Sequence, residues 1–376
     1  MNPLLQLIEH GQSYWIDNLS RHMIASGDLK KRVAEQGLRG ITSNPSIFDK
    51  AITKSNDYDA QIKELIRSGK ENIKEIYDAL TIKDIQDACD ILRPVFDESD
   101  GLDGFVSLEV SPYLARHTNE TMAEARRLFK AVNRPNCLIK IPGTGEGVPA
   151  IEQMLYEGIN INITLLFSIQ SYETVARAYI KALERRLNDK KDITKVSSVA
   201  SFFISRIDVL VDELLHHRII PEVGPDKYKK ARDLLGNAAI ASGKIAYQSF
   251  KKIFSGPQWE KLEKAGARVQ RPLWASTSTK NPNYNDVMYV EPLIGPSTVN
   301  TMPEQTIAAF EDHGKIVPNS VEKDLAKAGK NFGQLTELGI DIDYVTQRLE
   351  DEGIQKFIEP YDALLKNLEE KSRKFQ

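Results

Sequence analysis

A lysine stands inside the apolar run Leu138-Ile139-Lys140-Ile141, which closes on a turn at Pro142-Gly143. Burial among aliphatic neighbours disfavours the charged form of an ammonium group. Such a lysine is either a strand-end residue that snorkels to water or an amine held partly neutral. A neutral amine can attack a carbonyl and form a Schiff base. Lys140 alone leaves both readings open. Polar groups aimed at the same point would separate them.

Those groups come into view when strand parity is followed, because successive side chains of a strand point to opposite faces. Lys140 shares its face with Leu138, against Ile139 and Ile141. Asp17 lies on the face of Trp15, and Gly40, Thr42 and Asn44 share another against Ile41. Phe105, Ser107 and Glu109 align, as do Asn160, Asn162 and Thr164, and then Ser197, Val199, Ser201 and Phe203. Stretch after stretch ends with a polar residue on one parity. Parallel barrels build their active sites from the C-terminal ends of their strands, on the inward face.

Bland readings stand beside the functional ones. Asn44, ahead of Pro45, also suits the start of a turn. Arg206 reads as an anion ligand or as a partner for Asp208 or Glu213. Asp208 itself reads as a first-turn acid complementing a helix dipole. The GTGEG stretch at 143–147 lacks the Lys-Ser/Thr of a P-loop and reads as turn chemistry.

The elements that must position these residues follow from periodicity. Strand-like stretches fall at 13–18, 38–46, 104–112, at CLIKIPGT from Cys137, and at 161–168, 194–205, 271–279 and 286–295, eight in all. Helical patterns separate them, including one over 19–37 ended by Gly37 and a mostly helical region from 222 to 267. Alternating strands and helices predict parallel βαβ units. The expected fold is α/β: a single (β/α)8 TIM-type barrel domain over 1–376. It carries a helical insertion at about 47–100 after the second strand and a helical C-terminal tail.

Composition narrows the classes. The chain has 376 residues, 41% hydrophobic and 27% charged, with a net charge of -3. That balance gives no reason to expect nucleic acid or an anionic membrane surface as partner. Cys89 and Cys137 are too few for a zinc cage or a disulfide framework, so reduced thiols in the cytoplasm are expected. The N-terminal stretch lacks the basic and apolar regions of a signal peptide. No stretch approaches the ~20 apolar residues that span a bilayer.

Four blocks in order then resemble the transaldolase family in its longer bacterial form: GITSNPSIF, CLIKIPGT, INITLLFS and SVASFFISRID. The resemblance covers residues 13 to about 295. It implies an (α/β) barrel without metal or organic cofactor, acting on small sugar phosphates in the pentose phosphate pathway. A dihydroxyacetone unit would pass from sedoheptulose 7-phosphate or fructose 6-phosphate to glyceraldehyde 3-phosphate or erythrose 4-phosphate. Lys140 resembles the imine-forming nucleophile and Asp17 the acid/base that handles the C4 hydroxyl proton. Glu109 and Thr164 resemble the pair that holds a catalytic water, and Asn44 and Asn162 the amides on donor hydroxyls. Ser201 and Arg206 resemble phosphate ligands, packed by Phe203.

One departure concerns the phosphate. Some family members carry a second arginine shortly after the seventh strand, where this chain reads WASTSTKNP. Lys280 is expected to replace that charge, with Ser276 or Ser278 adding hydroxyls, but as a point charge and not a fork. The alternative within the same chemistry is an aldolase that releases free dihydroxyacetone; such relatives lack the 47–100 insertion. A catalytically dead barrel is disfavoured by the presence of Lys140, Asp17 and Glu109. Monomer and homodimer both remain open.

Overall fold

Runs of Ile, Val, Leu, Phe and Trp buried on both faces make short parallel strands here, because helices cover one side and the barrel interior the other. The computed structural model describes residues 2–219 and 224–375. Its strands are β1 (Gln12–Ile16), β2 (Gly40–Ile41), β3 (Phe105–Glu109), β4 (Cys137–Pro142), β5 (Ile161–Leu166), β6 (Ser198–Phe203), β7 (Arg271–Ala275) and β8 (Thr298–Met302). They pair in sequence order, all parallel, and β8 closes on β1 with Gln12 opposite Thr298 and Ile16 opposite Met302. The expected (β/α)8 barrel is the observed one.

The eighth strand is not where the sequence pattern puts it. Residues 286–295 form turns and a short 3-10 helix, Glu291–Leu293. Their apolar residues Val287, Val290 and Leu293 recur every third position and pack as a buried loop, with Leu293 O accepting from Trp274 Nε1 at 2.9 Å. The true β8, TVNTM, can be polar because several of its buried groups find partners inside, although Asn300 Nδ2 has none among the described residues. Gln12 Nε2 donates to Thr298 Oγ1 at 3.0 Å, and Thr277 Oγ1 donates to Asn300 Oδ1 at 3.0 Å. The helix expected over 19–37 is also broken, at Ser26-Gly27, where Gly27 takes a left-handed φ of 81°. The start of the helical region expected from 222 lies outside the described residues; from Pro225 it is helical, with the break at Ser255-Gly256.

The floor of the barrel is shaped by a close approach. A Cβ on Gly40 would meet the Trp15 ring at 2.3 Å, so only glycine lets that indole fill the space opposite β2. Below it, Arg271 donates to Ser13 Oγ (2.9 Å) and Asp103 (2.7 Å), and Ser13 donates to Asp103 (2.8 Å).

Between β2 and β3 the chain builds helices Pro45–Thr53, Asp59–Arg67 and Ile73–Glu98. Buried Asp84 ties this segment to the barrel, accepting from Tyr58 OH at 2.6 Å and Arg21 Nη2 at 2.8 Å. The last helix, Ile342–Arg373, packs on elements that follow β2, β3 and β6 and on β5 itself, and so crosses the C-terminal end of the barrel. No helix among the described residues is long and apolar enough to cross a membrane.

Candidate active site

The C-terminal ends of the strands enclose a cavity of about 210 Å³, as expected for the functional end of a parallel barrel. Asp17, Thr42, Asn44, Lys140, Thr164, Ser201, Phe203, Arg206, Ser276 and Lys280 all line it. Asn162 and Glu109, on the same inward parity, sit beside and beneath it as register partners of Lys140.

Lys140 projects from β4, its side chain only 6% exposed. Its Nζ donates to Ser43 O at 2.9 Å and to Glu109 Oε2 at 3.2 Å. Burial pushes the Glu109 carboxyl above its usual range; Lys140 pulls it back and Asp17 pushes it up again. A buried ammonium is tolerable only with such a partner, and the Nζ does not snorkel to water. The Phe357 ring of the C-terminal helix lies over it, its centroid 5.7 Å from Nζ.

Asp17 follows β1 and is fixed from two sides. Its backbone N–H donates to Met302 O at 2.9 Å, and its Oδ1 accepts from Thr42 Oγ1 at 2.6 Å. Thr42 in turn lies 2.7 Å from Thr301 Oγ1. Burial raises the Asp17 pKa, while the Thr42 hydrogen bond and the Lys140, Lys280 and Arg206 charges counter it.

On β5, Asn162 reaches across the barrel on both sides, donating to Ser107 Oγ (3.0 Å) and accepting from Ser201 Oγ (2.7 Å). Two residues on, Thr164 Oγ1 is buried with no hydrogen-bond partner among the described residues. Next to it Leu165 takes a left-handed φ of 61°, and the β5–β6 register shifts between Ile163 and Leu166. A bulge of this kind redirects side chains at the cost of local strain. Asn44 serves its helix as well as the cavity: its Oδ1 caps Pro45–Thr53 by accepting from Ile47 N at 3.1 Å.

Arg206 opens the helix Ser205–Leu214 after β6. Its Cζ lies 5.5 Å from the Phe203 ring centroid, and its Nη1 is buried without a hydrogen-bond partner among the described residues. Burial lowers its pKa, and the charges of Glu352 and Asp17 counter this only in part. Asp208 does not serve it. That carboxylate sits in the first helical turn as expected, but it is buried and faces another helix. There it accepts from Ala239 N (2.8 Å) and Tyr289 OH (2.9 Å). Burial pushes the Asp208 pKa up to about 7.

Lys280, in the loop after β7, hydrogen-bonds Ser278 Oγ. Burial and the Arg206 charge hold its pKa below that of an ordinary lysine. Ser276, at a left-handed φ of 56°, lies 3.1 Å from Ser205 Oγ, which ties the β7 loop to the start of the Arg206 helix. Two cations and several hydroxyls thus face one region, with no carboxylate paired to either cation in a salt bridge among the described residues.

The model describing the Transaldolase/Fructose-6-phosphate aldolase family matches residues 14–368. The chain belongs to that family. It is 50% identical over 374 residues to a protein named Transaldolase 2 from Nostoc sp., covering 99% of this chain and 98% of that one. A Transaldolase from Trichodesmium erythraeum is 49% identical over 375 residues, with 99% and 98% covered. A Transaldolase from Parafrankia sp. is 46% identical over 368 residues, with 98% and 97% covered.

Sequence reasoning missed five lining residues, Ala275, Thr301, Pro303, Gln305 and Phe357, of which Thr301, Gln305 and Phe357 bring the most chemistry or cover to the cavity. Thr301 and Gln305 were hidden by the misplaced eighth strand; alternation in TVNTM pairs Thr301 with Val299 on one face. Phe357 had no local signal, since an apolar residue in an amphipathic helix reads as packing.

Proposed function

We propose that this chain is a transaldolase. It transfers a dihydroxyacetone unit from a ketose phosphate, sedoheptulose 7-phosphate or fructose 6-phosphate, to an aldose phosphate through a Schiff base on Lys140. The observation that carries this reading is a buried lysine, bonded to a buried glutamate, at the wall of a cavity that also holds two cations with no salt bridge to a carboxylate among the described residues. The names of the relatives support transfer over release of free dihydroxyacetone, and so do the helices between β2 and β3.

The chemistry follows from the placements. Glu109, its pKa raised by burial, accepts the proton that Lys140 must lose before its amine attacks the C2 carbonyl. The carbinolamine loses water to give an iminium. Thr164 Oγ1, lacking a partner among the described residues, and Glu109 are suited to bind that water, because a buried hydroxyl left unpaired is costly. Asp17 takes the C4 hydroxyl proton, the C3–C4 bond breaks, and its electron pair becomes the enamine. The leaving aldose departs. The enamine carbon then adds to the acceptor aldehyde, Asp17 returns the proton, and water releases the product. General acid/base steps of this kind contribute about 10²–10⁴-fold each.

Asn44 and Asn162 hold donor hydroxyls in this account, Asn162 through the hydrogen that Ser107 does not use. Arg206, Ser201, Ser276 and Lys280 hold the phosphate, with Phe203 as the ring on which Arg206 rests. Residues 1–376 act as one domain, supported by a core contiguous from Leu4 to Leu368. The reading also places the chain in the cytoplasm, where buried Cys89 and Cys137 stay reduced. Borohydride reduction in the presence of fructose 6-phosphate tests it: peptide mapping should find the three-carbon adduct on Lys140. An adduct on another lysine would overturn the assignment.

A further inference from the structure

A transferase that works through an enamine faces a problem its catalytic groups do not solve. Once the aldose has left, the enamine must wait for an acceptor. If water reaches it first, the enamine carbon gains one hydrogen of that water. The oxygen becomes the C2 ketone oxygen, the C–N bond breaks, and the nitrogen keeps the second hydrogen. The products are free dihydroxyacetone and the lysine amine. One water is consumed, and transfer has become aldol cleavage. Something must keep water from the mouth side of Lys140 while leaving it access from the Thr164 side.

The C-terminal helix supplies the cover. Phe357 is the residue of that helix lining the cavity among the described residues, and it is nearly fully buried. Its ring lies over Lys140 Nζ, 5.7 Å away, within the reach of a cation–π contact. The helix can sit that low because of Gly353, one turn earlier. A Cβ there would meet Leu165 Cδ2 at 3.0 Å, on the bulge beside Thr164. The helix is also held along its length. Arg116 bonds Asp351, Tyr113 OH donates to Asp362 at 2.8 Å, and Asn367 Nδ2 donates to Asp49 Oδ1 at 3.1 Å. Its nearby charges are spent on one another, Glu352 accepting from Arg348 at 2.7 Å and Lys356 at 2.9 Å. What faces the lysine is therefore apolar.

We infer that Phe357 is a specificity-determining residue: it covers the Lys140 adduct on the mouth side, keeps water from the enamine, and so favours transfer over release. The inference rests on the reading of Lys140 as the imine-forming residue. Exclusion of water from a closed site is a recognised means of suppressing hydrolysis and proton leakage. The ring also favours the cationic iminium over the neutral amine.

The test compares two rates in wild type, Phe357→Ala and Phe357→Leu. Free dihydroxyacetone is measured with fructose 6-phosphate alone, and transfer with erythrose 4-phosphate added. The ratio of release to transfer should rise about tenfold in Phe357→Ala, a change of the size expected from opening a closed site to water. It should rise less in Phe357→Leu, which keeps an apolar cover. Rates that fall together with an unchanged ratio would overturn the inference and leave Phe357 as packing. Should Phe357→Ala not fold, judged by circular dichroism, the Leu variant carries the same comparison, and an unchanged ratio there overturns it equally. Borohydride trapping on wild type separates the two levels. An adduct on Lys140 with an unchanged ratio sinks this inference alone, whereas no adduct on Lys140 sinks the reading beneath it.

Discussion

The two ends of the barrel each bury part of an arginine, and they treat it in opposite ways. At the floor, Arg271 meets Asp103 and Ser13 in a closed triangle, with side chains 6% and 10% exposed for the ion pair. At the mouth, Arg206 has a ring on one side, a second cation nearby and a buried Nη1 with no partner among the described residues. Both are at least partly buried, and charge type does not distinguish them. Completeness of the partner set does. A charge whose partners are supplied by the fold is structural; a charge left incomplete, and placed beside another of its own sign, is on the proposed reading the one that takes an anion. The rule holds for charges and not for amides, since Gln12 Oε1 and Gln270 Oε1 near the floor also lack partners.

The sharpest way to stress this contrast is to remove one charge from each end. Lys140→Ala at the mouth should lose transfer turnover by roughly 10⁶-fold, the scale seen when a covalent nucleophile is deleted. Steady-state kinetics with far-UV circular dichroism as a folding control checks it. Wild-type turnover would remove Lys140 from the covalent step. At the floor, Arg271→Ala strands a buried Asp103 and should cost about 3–5 kcal/mol of stability. Urea denaturation should show that loss while the kcat of the folded fraction stays as in wild type. A change in kcat alone would erase the distinction between the two ends.

Asp208 tests whether a carboxylate near the mouth can belong to the floor's class. Its partners are complete, and its pKa stands at about 7 in the folded protein, against about 3.9 in an unfolded chain. Between those values the folded state binds the extra proton. Its contribution is therefore fully present below about pH 4 and lost as pH rises toward and through 7, by no more than about 4 kcal/mol. Asp208→Asn keeps an acceptor for the Ala239 N–H and cannot titrate. The stability of wild type should fall relative to that variant from pH 5 to 8, while kcat/KM changes little. Parallel stability profiles would show that Asp208 stays ionised throughout.

Smaller effects are expected at the phosphate. Arg206→Ala should lower kcat/KM for fructose 6-phosphate by the equivalent of about 1.5–3 kcal/mol, the worth of a charge-assisted hydrogen bond. Lys280→Ala should cost less, because a single ammonium lacks the fork. Its lowered pKa predicts that this contribution fades at a lower alkaline pH than an ordinary lysine would allow. Free fructose should feel neither change. Equal proportional losses on both sugars would make these residues structural.

Much of this was legible before any coordinates. Strict alternation in CLIKIP, GITSN, SVASFF and INITLL fixes which residues can meet inside a closed parallel sheet, and the lining of the cavity takes that parity. What sequence could not carry was partnering across long separations. Asp208 looks like an ordinary first-turn acid until Tyr289 and Ala239 are seen around its carboxylate. Strand β8 hides because its polar side chains take partners from β1 and from the β7 loop. Phe357 hides because nothing local marks the neighbour above which a helix will lie. The left-handed Leu165, a bulky residue where glycine is usual, gives no sign in the sequence at all.

The seam between β1 and β8 has a consequence for assembly. The Asp17 N–H is held by Met302 O, and its carboxylate by Thr42, which itself leans on Thr301. The Asp17–Met302 contact joins positions 285 residues apart, and Thr42–Thr301 joins positions 259 apart. During synthesis the first strand leaves the ribosome long before the strand that completes its pairing, and its exposed edge must wait. Contacts of such long separation make folding slow and leave intermediates prone to association. The carboxylate at the start of the chain is thus among the last groups to reach its working position, and a nascent chain stalled before residue 298 would hold the lysine strand without the geometry to use it.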